Sequence, residues 1–124
     1  MQPRTADVVI IGAGAIGCSI AYHLGQRGAK NIVVLEQEAV GSGTTSKAAG
    51  GIRVQFPTAI EIAFSMESLA FFKGLHEHMG VNPHLRQVGY LFLLGSEQDV
   101  EQFKRQVVLQ RQYGLDVQLL TPQD

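Results

Sequence analysis

The sequence predicts an α/β fold that begins with a Rossmann-like βαβ unit. Two short apolar segments, Val8–Ile11 and Ile32–Leu35, flank a stretch of small and apolar residues that suits a helix. A turn of the form GxGxxG, built on Gly12, Gly14 and Gly17, joins the first segment to that stretch. Because GxGxxG strings also arise by chance, the prediction depends on strand, helix and second strand following in order.

Each glycine of this turn has a predicted role in a dinucleotide site. Gly12 permits the tight turn, Gly14 lets the backbone approach a pyrophosphate, and Gly17 lets the helix pack closely on the strand. The helix is expected to start near Ala15, so its first amides, including that of Ile16, face the phosphates with the positive end of the helix dipole.

An acidic residue ends the second strand. Glu36 lies about 20 residues beyond Gly17, where a carboxylate accepts hydrogen bonds from ribose hydroxyls. Its charge also repels a 2′-phosphate, which disfavours NADP. Between these residues, Gly28 is expected to adopt the left-handed conformation that ends a helix.

Composition places the chain among globular proteins of about one domain. It has 124 residues, 45% of them hydrophobic and 17% charged, and a net charge of −1. A net charge so close to zero does not indicate a basic surface that binds nucleic acid or an anionic membrane. One cysteine cannot form an internal disulfide, and the glycine-interrupted apolar run suits neither a signal peptide nor a membrane span. We expect the cytoplasm or an organelle matrix.

After Glu36 the chain departs from the usual pattern of nicotinamide enzymes, in which another helix follows. Residues 41–53 are instead rich in glycine, alanine, serine and threonine, a composition that cannot fill a core. Such a run can bring backbone and hydroxyl donors close to a large, flat or anionic ligand. Residues 44–49 are expected to form a short helix between flexible ends.

The remainder of the chain is predicted to mix helices and strands. Apolar periodicity indicates a helix over residues 57–79, and alternation over residues 85–94 indicates a strand or a hairpin. Ser96 resembles the cap of a helix that ends near Gly114. Residues 117–120 are expected to form a further short strand.

The last four residues resemble the start of another helix. Thr121 is a capping residue, Pro122 suits the first helical position, and Asp124 places an acid in the first turn. We therefore expect these 124 residues to be the N-terminal part of a longer protein.

Together, these motifs resemble the D-amino-acid oxidase-like family of FAD-dependent oxidoreductases, and within it the branch of sarcosine oxidase, sarcosine dehydrogenase and dimethylglycine dehydrogenase. The matching stretches are residues 8–17, 33–36, 41–46 and 48–53, and residues 88–93 resemble the first strand pair of the family's substrate domain. The resemblance implies an incomplete Rossmann-like FAD-binding segment over residues 1–80. Residues 81–124 would then be the truncated beginning of a mixed α+β substrate, or cap, domain.

The resemblance also implies which residues surround the cofactor. Gly12, Gly14 and Gly17 would hold the FAD pyrophosphate, and Glu36 the adenosine ribose. Arg53 would lie near the flavin and the substrate carboxylate, where a planar bidentate cation is well suited, the alternatives being a surface ion pair or a loop anchor. The other positions expected to contact the cofactor are Ala15, Ile16, Gln37, Ser42, Thr44, Thr45, Ser46, Lys47, Ala48, Gly50, Gly51 and Ile52.

Lys47 departs from the pattern of the family's dehydrogenases, which have at this position a histidine that bonds covalently to the flavin. Lysine cannot supply that imidazole linkage, so we expect FAD to be bound non-covalently. Lys47 is then either a cation near the pyrophosphate or flavin, or a solvated loop residue.

Metal and thiol chemistry are not predicted. The histidines at positions 23, 76, 78 and 84 lack a supporting cluster of cysteine or acid residues, and we expect them at the surface or at helix caps. Cys18 has no partner for redox exchange and is expected to be a small packing residue.

The favoured interpretation is an FAD-binding part of an oxidoreductase that oxidises a C–N bond of a secondary amine or amino acid, resembling sarcosine, glycine or proline. Oxygen or an electron carrier would reoxidise the flavin, and an oligomer or an assembly with other subunits is left open. One alternative is an NAD-dependent dehydrogenase, which leaves residues 41–53 unexplained; another is an FAD-holding assembly or electron-transfer subunit without catalysis. The 124 residues alone are expected to be inactive.

Overall fold

The computed structural model describes residues 5–124 and divides the chain into two compact units. The first unit ends at Gly51, and the second begins at Ile52. The first is a small α/β unit with two parallel strands, whereas the second contains helices and irregular segments. The boundary at residue 80 between an FAD-binding segment and a substrate domain stays a prediction.

The first unit is the βαβ arrangement expected from the sequence. β1 (Val8–Ile11) and β2 (Ile32–Leu35) pair in parallel, with Val8 opposite Ile32, and α1 (Ala15–Gln26) connects them. Parallel strands need such a crossover, because the carboxyl end of β1 and the amino end of β2 lie at opposite edges of the sheet. The carboxyl ends of both strands therefore meet at one edge, next to the start of α1.

The end of α1 is a Schellman-type cap. Gly28 has a φ of +87°. Its N–H donates to the carbonyl of Gly25 at 2.9 Å, and the N–H of Ala29 donates to the carbonyl of Leu24 at 3.0 Å. This pattern satisfies the last carbonyls of a helix and needs a left-handed residue. The predicted cap at Gly28 is confirmed.

The stretch predicted as one helix over residues 57–79 is divided in two in the second unit. α2 (Ala59–Lys73) begins after Thr58, whose side chain accepts a hydrogen bond from the backbone of Glu61. Gly74 then separates α2 from α3 (Leu75–Met79). The single-helix prediction is wrong at this point, because glycine costs about 1 kcal/mol relative to alanine inside a helix.

The last helix agrees with the prediction at both ends. α4 (Glu97–Gln112) is capped by Ser96, whose hydroxyl accepts the Asp99 N–H at 3.1 Å. Its last turn is closed by Gly114, which has a φ of +81°, and the N–H of Leu115 donates to the carbonyl of Gln110 at 3.1 Å.

Two predicted strands are not formed. Residues 85–94 and 117–120 have no ladder partner among residues 5–124, where the sheet contains β1 and β2. A strand depends on hydrogen bonds to a neighbouring strand, so alternation of side chains is not sufficient.

Two predicted helical starts are turns. In the loop, the Ser46 N–H donates to Gly41 O at 3.0 Å and the Lys47 N–H to Thr44 O at 3.2 Å, so no α-helical ladder develops over residues 44–49. At the end of the chain, the N–H and hydroxyl of Thr121 both donate to the Asp124 carboxylate, at 2.8 and 2.9 Å.

Buried apolar side chains are concentrated between α2 and α4. Ile62 on α2 is fully buried, and Val107 on α4 is 4% exposed. Val117, after α4, is also buried, and Ala13 is the buried apolar residue among residues 5–51. No helix within the described part of the chain is both long and apolar enough to cross a bilayer.

Candidate functional site

Glu36 binds the backbone at the carboxyl ends of the strands. Its Oε2 accepts the Ala13 N–H at 2.8 Å, while its Oε1 accepts the N–H groups of Gln37 and Glu38 at 2.8 and 3.1 Å. These bonds, led by that from Ala13, lower the pKa of the Glu36 carboxyl. A carboxylate has about four acceptor positions, so one on Oε2 is left for a further donor, and the predicted contact with a ribose hydroxyl stays a prediction.

The glycines of the turn allow a close approach of α1 to β1. Gly12 has a φ of +100°, and its N–H donates to Leu35 O at 2.7 Å. A Cβ on Gly17 would lie 1.9 Å from the carbonyl oxygen of Gly12 and 3.3 Å from Cγ2 of Ile10. The structure thus gives Gly12 and Gly17 the predicted backbone roles, and their contact with a pyrophosphate stays a prediction.

The loop after β2 contacts the start of α1 through Thr45. The Ala15 N–H donates to Thr45 Oγ1 at 2.9 Å, and the Gly41 N–H donates to Ala13 O at 3.0 Å. A Cβ on Gly14 would lie 3.0 Å from Thr45 Oγ1. The lack of a side chain on Gly14 therefore admits this hydroxyl, in addition to any role beside a phosphate.

The hydroxyl groups of the loop differ in which of their atoms are engaged. Ser46 Oγ donates to Ser42 O at 2.8 Å and to Gly43 O at 3.0 Å, and Ser42 Oγ donates to the carboxylate of Glu38 at 3.3 Å. Thr45 instead accepts a hydrogen bond and keeps its proton for an acceptor such as a phosphate oxygen. Amides in the first turn of α1 provide further donors, since a helix has no carbonyl of its own for them.

The remaining predicted residues of the first unit contribute through the backbone or lie on the surface. The backbone N–H of Gln37 donates to the carboxylate of Glu36. Ile16, in the first turn of α1, is 78% exposed. The other predicted positions are exposed and lie along the loop and its exit, namely Thr44, Lys47, Ala48, Gly50 and Gly51.

Arg53 lies in the second unit, as does Ile52. Its Cζ is 4.6 Å from the ring centroid of Phe56, 5.6 Å from that of Phe92 and 5.9 Å from that of Tyr90. Within residues 5–124 it forms no ion pair, so the surface ion pair considered from the sequence is not found there. Its predicted contact with flavin or substrate stays a prediction.

A cavity of about 850 Å³ lies beside Arg53 in the second unit. Gln55 lines this cavity, and its Oε1 is buried without a hydrogen-bond partner among the described residues. Gln110, buried on α4, donates from Nε2 to the carbonyl of Phe56 at 3.1 Å. Arg111 on the same helix donates from Nε and Nη2 to the carbonyl of Val117, at 2.9 and 2.7 Å.

The thiol of Cys18 and the ring of His78 make local contacts. Cys18 is exposed and its thiol donates to Ala13 O at 3.5 Å, so the predicted packing role is wrong. Gly17, its neighbour, faces β1, and successive helical residues point about 100° apart. His78 lies with its ring 6.1 Å from that of Phe71. Among residues 5–124, no three potential metal ligands come together.

Some contributors were not singled out from the sequence. Ala13 supplies both an N–H to Glu36 and a carbonyl to Gly41, and its place inside the glycine-rich turn was the available signal. The sequence contained a weaker indication of the rings around Arg53. That indication was the spacing of two residues between Tyr90 and Phe92.

Comparison with known proteins gives matches along almost the whole chain. The sequence model of the family DAO, FAD dependent oxidoreductase, matches residues 7–124. Mitochondrial sarcosine dehydrogenase of Mus musculus is 34% identical over 121 residues, which cover 97% of this chain and 13% of that protein. FAD-dependent oxidoreductase domain-containing protein 1 of Xenopus laevis is 38% identical over 133 residues, covering 98% of this chain and 26% of that protein.

A solved structure matches over the same extent. The crystal structure of L-proline dehydrogenase from P. horikoshii has a TM-score of 0.86 and 34% sequence identity, covering 98% of this chain and 32% of that chain. The chain therefore spans no more than about a third of the length of these relatives.

Proposed function

This chain belongs to the DAO family of FAD-dependent oxidoreductases, as its motifs predicted, and on that premise we propose that it holds FAD for the oxidation of a C–N bond. The substrate we propose is a secondary amine or amino acid. Two of the relatives are named for sarcosine and L-proline, which both carry a secondary amine and a carboxylate. The NAD-dependent alternative has no support from these names.

The observation that carries the FAD proposal is the bond from Ala13 to Glu36. It ties the ribose-binding carboxylate to the glycine-rich turn at 2.8 Å, so one cluster offers an acceptor for ribose and donors for phosphates. The fit is supported by the free acceptor position of Glu36 and by the proton that Thr45 keeps. When bound, FAD would supply the acceptor for a hydride equivalent from the carbon next to the substrate nitrogen.

The chain's own residues hold and orient the two ligands in this mechanism. Glu36 would accept a hydrogen bond from a ribose hydroxyl of FAD, and Thr45 with the first amides of α1 would bind its phosphates. Arg53 binds the substrate carboxylate through its planar fork of N–H donors, which holds the reacting carbon in a fixed orientation.

Two further parts of the proposal concern attachment and location. Lys47 lacks an imidazole, which supports FAD held without a covalent bond at this position. The mouse relative is named as mitochondrial, which supports an organelle matrix over the cytoplasm. Oxygen or an electron carrier completes the reaction as acceptor.

The test is the flavin spectrum of the protein purified from its own source. We expect a yellow protein whose flavin absorbance is bleached without oxygen by sarcosine or L-proline, and whose flavin stays in the supernatant after acid precipitation. A colourless protein that binds NADH would contradict the proposal. A yellow protein that none of sarcosine, proline, glycine or dimethylglycine bleaches would instead support an FAD-holding subunit.

A further inference from the structure

Three aromatic rings surround the guanidinium of Arg53. The distances from Arg53 Cζ to the ring centroids of Phe56, Phe92 and Tyr90 are 4.6, 5.6 and 5.9 Å. All of them fall within about 6 Å, the range in which a ring face attracts a guanidinium. The cation is therefore held by rings that belong to two separate segments of the second unit.

The rings hold Arg53 without neutralising its charge. Within the described part of the chain the ion pair is that of Lys104 with Glu101, at 2.6 Å, and no carboxylate reaches Arg53. A protein carboxylate would occupy the bidentate fork of a guanidinium. Ring faces attract the charge and leave the N–H donors free, so Arg53 is placed and still able to bind an anion.

The rings are themselves attached to α4. Phe92 contacts Phe103 of α4 with 5.3 Å between ring centroids, and it contacts Tyr90 at the same distance. Phe56 is held through its carbonyl, which accepts the bond from Gln110. Both contacts are made with α4. The positions of the rings therefore do not depend on the flexibility of the long arginine side chain.

We propose that Phe56, Tyr90 and Phe92 are positioning residues that keep Arg53 as an unpaired cation for the carboxylate of a ligand. Arg53 lines the cavity of about 850 Å³, whose walls include apolar side chains such as Leu94. The ligand class is therefore a carboxylate joined to an apolar body. This inference rests on the proposed function, in which Arg53 binds the substrate carboxylate.

Binding of isocaproate to the isotope-labelled chain, followed by NMR, tests the proposal without any turnover. We expect the Nε–H resonance of Arg53 to shift with isocaproate and to stay unchanged with the neutral isocaproamide. Tyr90→Leu and Phe92→Leu should each weaken isocaproate binding about threefold or more, whereas Tyr90→Phe, which keeps the ring, should stay within about twofold.

Several results would overturn the proposal. They are equal affinity of the leucine variants and the parent, an Arg53 resonance that isocaproate does not move, or an equal response to the amide. If the leucine variants do not fold, the δ-methylene protons of Arg53 in the unmodified chain decide, because ring currents should shift them upfield and random-coil positions contradict the contact. Ring-dependent binding in a protein that holds no flavin would contradict the proposed function alone.

Discussion

At the scale of single residues, the first unit depends on a contact that leaves no room for one added carbon atom. A Cβ on Gly17 would approach the Gly12 carbonyl oxygen to 1.9 Å, and the atom it meets belongs to the backbone of a turn whose φ is +100°. The turn cannot relax easily, because the Gly12 N–H is bonded to Leu35 O of β2. Helix, turn and sheet are thus coupled at Gly17.

Gly17→Ala is therefore expected to destabilise the chain by about 1–3 kcal/mol, the usual cost of an overpacked site. Gly25→Ala is the matched control, because Gly25 lies in the same helix and nothing lies within 4 Å of its added carbon. That control should gain about 0.5–1 kcal/mol from reduced chain entropy. Urea unfolding followed by circular dichroism measures both, and equal changes in the two variants would contradict the assignment.

Glu36 links the pH dependence of stability to the same turn. Its pKa is lowered in the folded chain by the N–H groups it accepts, chiefly that of Ala13. A group with a lowered folded pKa stabilises above its unfolded pKa, about 4.3 for glutamate, and this contribution is lost as the pH falls through the folded pKa.

We therefore expect Glu36→Gln to lose part of the acid-dependent change in the free energy of unfolding below about pH 5, compared with the parent. Glu67→Gln is the control, because Glu67 is exposed on α2. Denaturant unfolding at several pH values provides the measurement. Parallel stability curves for the parent and Glu36→Gln would show that the carboxylate is not held as described.

At the scale of elements, α4 organises the second unit through polar as well as apolar contacts. Val107 is buried against the rest of this unit, and Gln110 is buried one turn later, where its amide donates to Phe56 O. Replacing a buried amide that donates to a carbonyl by a carboxylate, which can only accept, leaves two oxygens facing each other.

Gln110→Glu should thus destabilise the chain by about 1–3 kcal/mol at neutral pH, since a carboxylate of the same shape would face the Phe56 carbonyl. Gln102→Glu, on the exposed side of α4, should change stability by less than about 0.5 kcal/mol. Thermal melts at neutral pH give the comparison. Recovery of part of the Gln110→Glu loss on mild acidification would support the cause, and a loss shared by both variants would argue against it.

At the scale of the whole molecule, each unit exposes large apolar side chains. In the first unit Ile11 is 87% exposed and Ile16 78%, while in the second Val88 is 87% and Leu93 88% exposed. Scattered apolar residues on a surface are normal, but this degree of exposure on many side chains lowers the driving force for folding.

The 124-residue chain is accordingly expected to bind the dye ANS under native conditions and to self-associate with increasing concentration. Val88→Thr combined with Leu93→Ser should reduce the dye signal, since both side chains belong to the exposed set. Fluorescence and analytical ultracentrifugation follow the two effects. A chain that stays monomeric and does not enhance the fluorescence of the dye would contradict the exposure of these apolar side chains.

The sequence by itself determined the features that arise within a few residues of each other. The left-handed cap at Gly28, the cap at Ser96 and the left-handed Gly114 after α4 all follow from local backbone preferences and short-range hydrogen bonds, whereas the βαβ unit was predicted from the order of its segments. The family resemblance also came from motifs, and the match over residues 7–124 confirms it.

Only the tertiary structure decided which distant groups meet. Glu36 binds Ala13 across 23 residues, and Thr45 binds Ala15 across 30, contacts that depend on how the loop returns to the turn. It also decided that residues 85–94 do not form a strand and that Arg53 lies against aromatic rings. The physical reason is that pairing and stacking need a partner in space, which local propensity does not specify.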